Sequence, residues 1–106
     1  MTAPVFQLPR PATLTRQEAE EWIRAVMLGS GFGWTDHFSK KMEDRDIPMR
    51  LVLEVLKTGC VFADPKWNAE HSDWVCKVRK TVAGRRVTVV VGLETDNKMT
   101  GVTTYG

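Results

Sequence analysis

This sequence predicts an α+β domain, with helices first and an antiparallel sheet after them, and three observations carry that prediction. Apolar positions recur every three to four residues as far as Gly59 and every two residues over much of the remainder, so the period changes from helix to strand near mid-chain. Helix-start residues stand at Thr15 and Thr35, whereas β-branched runs and tight-turn pairs dominate the second half. A length of 106 residues fits one domain and leaves little room for another.

Residues 1–14 contain Pro4, Pro9 and Pro11 without sustained periodicity and read as an extended arm, which leaves 15–106 as the domain. Thr15-Arg16-Gln17-Glu18 matches a capping box, in which Thr and Glu satisfy each other's free backbone donors. The helix it opens carries Ala19, Trp22, Ile23, Val26 and Met27 on one side, and Gly29 is a suitable stop. Gly29 to Gly33 reads as a flexible connector. It lacks both the Gly-Lys-Ser/Thr ending and the preceding strand of a phosphate-cradling loop. Thr35 is placed to cap a second, short helix, with Asp36 at the positive end of its dipole and Phe38 and Met42 on one face. Asp46-Ile47-Pro48 marks a turn and a third helix, whose apolar face is Leu51, Val52, Val55 and Leu56 and whose end is Gly59.

Strands follow. Cys60 to Ala63 is a short apolar strand, and Asp64 to Ser72 a polar loop. Trp74, Cys76 and Val78 then alternate with Val75, Lys77 and Arg79. Ala83-Gly84 is a tight turn, Arg86 to Leu93 a central strand rich in β-branched residues, Asp96-Asn97-Lys98 a turn, and Met99 to Tyr105 the last strand. The expected fold is therefore a four-stranded antiparallel sheet with the N-terminal helices packed on one of its faces.

Composition narrows the function classes. Hydrophobic residues make up 42% and charged residues 26%, as in ordinary globular proteins. The longest apolar run, Val87 to Leu93, is interrupted by Thr88 and Gly92, so no membrane association is expected. No basic segment leads into an apolar core at the N-terminus, which makes a cytoplasmic location the default. Cys60 and Cys76 lack metal-ligand spacing and are expected as buried free thiols, with a disulfide between adjacent strands left open. His37 and His71 with these cysteines offer no local zinc clip, and neither metal nor cofactor is expected.

A net charge of +2 does not by itself identify a nucleic-acid binder. Its distribution says more, because Lys77, Arg79, Lys80, Arg85 and Arg86 cluster while Glu18, Glu20 and Glu21 lie on the first helix. Alternation sets Lys77 and Arg79 opposite Trp74, Cys76 and Val78, and sets Arg86, Thr88 and Val90 opposite Val87, Val89 and Val91. Thr104 opposes Thr103 and Tyr105, with the outward set undetermined. A face of Lys, Arg, Thr and Tyr can grip an RNA backbone and stack bases. On the second helix His37, Lys41 and Arg45 recur every four residues, placing a titratable base beside fixed cations as phosphodiester chemistry requires. On spacing alone, a solvated helix flank and a solvated sheet face are the more ordinary readings.

The stretch His37-Phe-Ser-Lys-Lys41-Met42-Glu-Asp-Arg45-Asp-Ile47 resembles a prokaryotic family of small domains of unknown function that opens with His-x-x-x-Arg-Met-x-x-Arg-x-Ile. The resemblance continues through Trp74-Val-Cys-Lys77-Val78, Gly84-Arg85-Arg86-Val87-Thr-Val89-Val90 and Val102-Thr103-Thr104-Tyr105. That family in turn looks like part of the RelE-like group of ribonuclease toxins, alongside barnase-like, EndoU-like and colicin-type domains. The resemblance implies a metal-independent endoribonuclease that cuts RNA by 2′-hydroxyl attack, together with a cognate antitoxin as partner. It points to His37 as base or acid and to Arg45 and Arg86 as stabilisers of the pentavalent phosphate. Lys41, Lys77, Arg79, Arg85, Thr103, Thr104 and Tyr105 are the expected substrate contacts. Lys41 stands where the family commonly has Arg, which keeps the charge and loses bidentate geometry. The alternative is a non-catalytic module of the same fold that binds a protein or nucleic acid, for example a phage- or prophage-encoded inhibitor. A metal-dependent hydrolase would need a carboxylate–histidine cluster, which the sequence reading does not find.

Overall fold

The three helices form where capping and periodicity place them. The computed structural model describes residues 13–95 and 97–106, so most of the expected arm and Asp96 of the expected turn lie outside the described residues. Helix α1 (Arg16–Leu28) opens on the capping box: the Glu18 amide donates to Thr15 Oγ1 at 3.1 Å and the Thr15 amide to Glu18 Oε1 at 2.9 Å. Helix α2 (Asp36–Asp44) begins at Thr35, whose hydroxyl oxygen accepts the Phe38 amide at 3.1 Å. Helix α3 (Met49–Thr58) follows Pro48 and buries Leu51, Val52, Val55 and Leu56. No helix among the described residues is long and apolar enough to cross a membrane.

The sheet departs from the expected four antiparallel strands. It is six-stranded and mixed, and its first strand lies between α1 and α2 rather than after all the helices. Strand β1 (Phe32–Trp34) occupies the connector read as flexible, and pairs in parallel with β6 (Lys98–Tyr105). Strand β2 (Cys60–Val61) is only two residues long, and β3 (Lys66–Asn68) lies inside the stretch read as a polar loop. Both pair antiparallel with β4 (Asp73–Val82), which pairs with β5 (Arg85–Thr95), which pairs with β6. Three residues are too few to display a two-residue period, and the partners of β1 are far along the chain, so no local signal marks it. The close approach does leave a trace in Gly31, where a Cβ would lie 1.5 Å from the Asn97 carbonyl oxygen. At the β4–β5 turn, Ala83 and Gly84 have φ of 52° and 80°, the left-handed pair that a tight two-residue hairpin demands.

One core joins the elements. Trp22, Ile23 and Val26 of α1, Phe38 of α2 and the α3 set meet Trp74, Cys76 and Val78 of β4, Val87, Val89, Val91 and Leu93 of β5, and Met99 of β6. The Trp22 indole also donates to the Thr95 carbonyl at 2.7 Å, fixing α1 to the end of β5. Helix α2 is seated on β6 through Phe38, which is fully buried and lies against Gly101: a Cβ there would come within 2.9 Å of the ring. The Thr35 amide donates to the Gly101 carbonyl at 3.3 Å, so the same residue anchors the start of the helix.

Gly101→Ala is therefore expected to overpack this contact and destabilise the domain by about 1–3 kcal/mol. Phe38→Ala should cost about 3–5 kcal/mol. Urea unfolding midpoints at equal m-value check both, and a Gly101→Ala variant as stable as wild type would refute the contact.

Candidate functional site

Alternation along β4 and β5 sends one set of side chains into the core and the other outward. The outward set on β4 is Asp73, Val75, Lys77 and Arg79, and on β5 it is Arg86, Thr88, Val90, Gly92 and Glu94. On β6 the alternation is reset. Val91 faces Gly101 while Val90 faces Thr103, so Val102 is an extra residue in a bulge. Without the bulge Thr103 and Tyr105 would share the inward side with Met99 and Gly101. With it Thr104 turns inward, fully buried, and its hydroxyl donates to the Thr88 carbonyl at 2.8 Å. Thr104 is thus removed from the expected substrate contacts, and Thr103 and Tyr105 are left on the outward side.

The register then assembles consecutive rows across the outward face. Lys77, Val90 and Thr103 form one row, Arg79, Thr88 and Tyr105 the next, and Thr81 pairs with Arg86 beyond them. Successive rows are roughly 7 Å apart along a strand. Thr88 and Val90 are almost completely buried although they point away from the core. They lie in rows between the longer side chains of Lys77, Arg79 and Tyr105, and we call this strip the trough of the outward face. The Arg79 guanidinium stacks over the Phe62 ring at 4.1 Å, which fixes its plane.

Two cations of the sequence cluster leave this face. Lys80 donates to Glu54 Oε2 of α3 at 2.6 Å, a bond that holds the Glu54 carboxyl below its ordinary value. Arg85 donates to the Asp46 carbonyl at 2.7 Å and to the Arg45 carbonyl, tying the β4–β5 hairpin to the α2–α3 turn. Arg85 therefore serves as a clamp. His37 and Arg45 are exposed on α2 and the residue after it, and Lys41 is half-buried. Their helix packs on the core side of β6 through Phe38 and Gly101, and no hydrogen bond or ion pair among the described residues links His37 to the cationic rows.

Four residues absent from the sequence reading lie at the other end of the trough. A depression of about 310 Å³ is lined by Thr35, Asn68, His71, Asp73, Val75, Glu94, Thr100 and Val102. Asp73 is only 8% exposed, and its Oδ1 has no hydrogen-bond partner among the described residues. Its other oxygen fills the space above Gly92, 2.3 Å from where a Cβ would stand. Thr100 donates its hydroxyl to Glu94 Oε1. The Asn68 side-chain oxygen Oδ1 accepts the backbone amides of Glu70 and His71, shaping the loop that carries the imidazole. Gly92, a lone glycine inside a β-branched run, was the available signal, since such a glycine often marks close approach to a strand.

The cysteines differ from expectation in one respect. Both are free, but Cys60 is exposed at the sheet edge because its strand is so short, while Cys76 is buried. Burial, with Asp73 nearby, pushes the Cys76 thiol up to about 12. Among the described residues no group of three or more His, Cys, Asp and Glu is placed to share a metal ion.

A family model described as a domain of unknown function (DUF4258) matches residues 34–105. The chain belongs to that family, and the match covers α2, α3 and all the strands except most of β1. No curated protein and no solved structure matches.

Burial raises the Asp73 carboxyl above its ordinary value, with the Glu94 charge acting in the same direction and His71 in the opposite one. The native state consequently holds this proton to higher pH than the unfolded chain, so the group's contribution to stability falls as pH rises from about 3.8 through its folded value. Asp73→Asn is expected to unfold at a higher temperature than wild type at pH 7, with the gap closing as pH falls to about 3.8. Thermal melts across pH check the sign.

Proposed function

We propose that this domain of unknown function binds single-stranded RNA along the outward trough of its sheet, with Lys77, Arg79 and Arg86 on the phosphates and Tyr105 available for base stacking. The observation that carries this reading is the register that aligns Lys77 with Thr103, Arg79 with Tyr105 and Thr81 with Arg86 in consecutive rows. Cations spaced along a strand position a backbone, hydroxyls donate to phosphate oxygens, and an aromatic ring accepts any base. The buried floor of Thr88 and Val90 supports a groove rather than a flat solvated face.

A second, finer reading is a metal-independent endoribonuclease of the RelE-like toxin type, acting in the cytoplasm and held by a protein antitoxin. It is favoured by the exposure of His37 on the helix beside β6, with Lys41 following on the same flank. In that reading His37 takes the proton from a 2′-hydroxyl or returns one to the leaving 5′-oxygen, while Arg45 and Arg86 stabilise the phosphorane.

Fluorescence anisotropy on a labelled single-stranded RNA tests the binding. Neutralising Lys77 and Arg79 together (Lys77→Ala, Arg79→Gln) is expected to weaken affinity at least tenfold at low salt. The slope of log K against log salt should also flatten by roughly 0.7 per lost phosphate contact. Neutralising Lys80 or Arg85, which face away, should leave that slope unchanged. Equal binding by wild type and the Lys77/Arg79 variant would overturn the assignment. For cleavage, His37→Ala is expected to abolish RNA cutting in EDTA while binding stays within threefold. Undiminished cutting by a folded His37→Ala protein would refute the role of His37, and binding without cutting in wild type would leave a binding module.

A further inference from the structure

Resting on the RNA-binding reading, we infer that the depression around Asp73 is a base pocket that takes the donor-rich Watson–Crick edge of guanine in a single strand lying along the trough. An acidic cluster alone would not carry this. The independent observation is the Asp73 side chain itself: nine-tenths buried, lining the depression, and with Oδ1 lacking a hydrogen-bond partner among the described residues. A buried acceptor left open costs stability unless a donor arrives, so the pocket is complementary to a ligand bearing N–H groups. Oδ2 lies over Gly92, and a turn about the last side-chain torsion is the movement that brings it beside Oδ1 onto one ligand edge.

Several features narrow the donor class. A carboxylate accepts two parallel N–H bonds, and among the four bases guanine alone presents two adjacent donors, the ring N1–H and the exocyclic amine. Adenine and cytosine set an acceptor lone pair beside their amine, and uracil flanks its single donor with carbonyls. Each of those would turn an acceptor toward a carboxylate oxygen. Val75 and Val102 supply the apolar part of the lining, and Gly92 is what admits the carboxylate over the strand. The Asn68 side-chain oxygen Oδ1 is already engaged by two backbone amides, which leaves the side-chain Nδ2 hydrogens for the base carbonyl. Glu94 is held by Thr100 and so forms a fixed wall rather than a second mobile acceptor. The pocket also adjoins the first cationic row, because Val75, Gly92 and Thr100 form the row next to Lys77, Val90 and Thr103. A base seated here has its own strand's phosphates over Lys77 and Arg79.

The test uses the full chain and two probes. In amide NMR titrations with guanosine, adenosine, cytidine and uridine 5′-monophosphates, the guanine nucleotide is expected to bind at least tenfold more tightly and to shift the amides of Asp73, Gly92 and Thr100. In anisotropy, wild type should prefer a single guanosine placed in an oligouridine by at least tenfold. Asp73→Asn should erase that preference while leaving affinity for plain oligouridine within twofold. The nucleotide series on wild type needs no variant, so misfolding of Asp73→Asn would not rescue the proposal. Oligouridine binding without base preference overturns the pocket and leaves the RNA trough standing. No binding of any RNA overturns both. Tighter binding of free arginine than of the guanine nucleotide, with shifts at the same amides, also overturns the proposal and makes the pocket a socket for a partner protein's guanidinium.

Discussion

Contact between the Phe38 ring and the bare backbone of Gly101 is the constraint on which the arrangement of this domain depends. A ring can lie that close to a strand only where no Cβ intervenes, and the gap it fills brings α2 down along β6. The Gly101 carbonyl then receives the Thr35 amide, so the helix start and the strand are locked at one residue. At the other end, Arg85 reaches from the β4–β5 hairpin to the carbonyls of Arg45 and Asp46. Those carbonyls follow the C-terminus of α2, where acceptors lack helical partners and the dipole favours a cation. Both ends of the helix are thereby held to the sheet, one by packing and one by charge.

The same arrangement sorts the charges. Five cations that are near one another in sequence divide according to strand side: Lys80 and Arg85 hold helices in place, whereas Lys77, Arg79 and Arg86 point outward. Asp73 and Glu94 share the outward side with the latter three but sit at its far end. The trough is therefore polar along its length, acidic and apolar at one end and cationic at the other. A nucleotide strand has the same division between donor-bearing bases and anionic phosphates, which gives the trough a means of orienting one.

The sequence made helices legible because each carried its own start signal and periodicity: the capping box at Thr15, the cap at Thr35 and the apolar quartet of α3 are local facts. The long strands were equally readable, as was the side on which Lys77, Arg79 and Arg86 emerge. What failed depended on contacts between distant segments. β1 is three residues whose pairing with Met99 to Gly101 no local pattern announces, and β3 hides in a polar stretch because it only covers part of the edge of β4. The inward turn of Thr104 was undecidable, since one extra residue at Val102 inverts everything after it. The acidic pocket escaped for a similar reason. Asp73 falls between the stretch read as a loop and the strand read from Trp74, and only the fold seals it against Gly92 and brings Glu94, Thr100 and the His71 loop around it.

That pocket is also where the domain departs most from its own folding rules. The core otherwise obeys them, with apolar residues at the buried centre of β4 and β5 and the inward Thr104 hydroxyl bonded. Asp73 breaks the pattern twice, by burying a carboxylate with one oxygen unbonded and by requiring a glycine inside a central strand otherwise built of β-branched residues. A Val or Thr at position 73 would avoid the desolvation of a charge, and a β-branched residue at position 92 would strengthen the strand. Local conflicts of this kind, set within an otherwise consistent sequence, concentrate at functional sites, because stability is given up where a group must stay available. The two departures coincide in space, one row along the sheet from Lys77, and that coincidence ties the pocket to the trough as parts of a single surface.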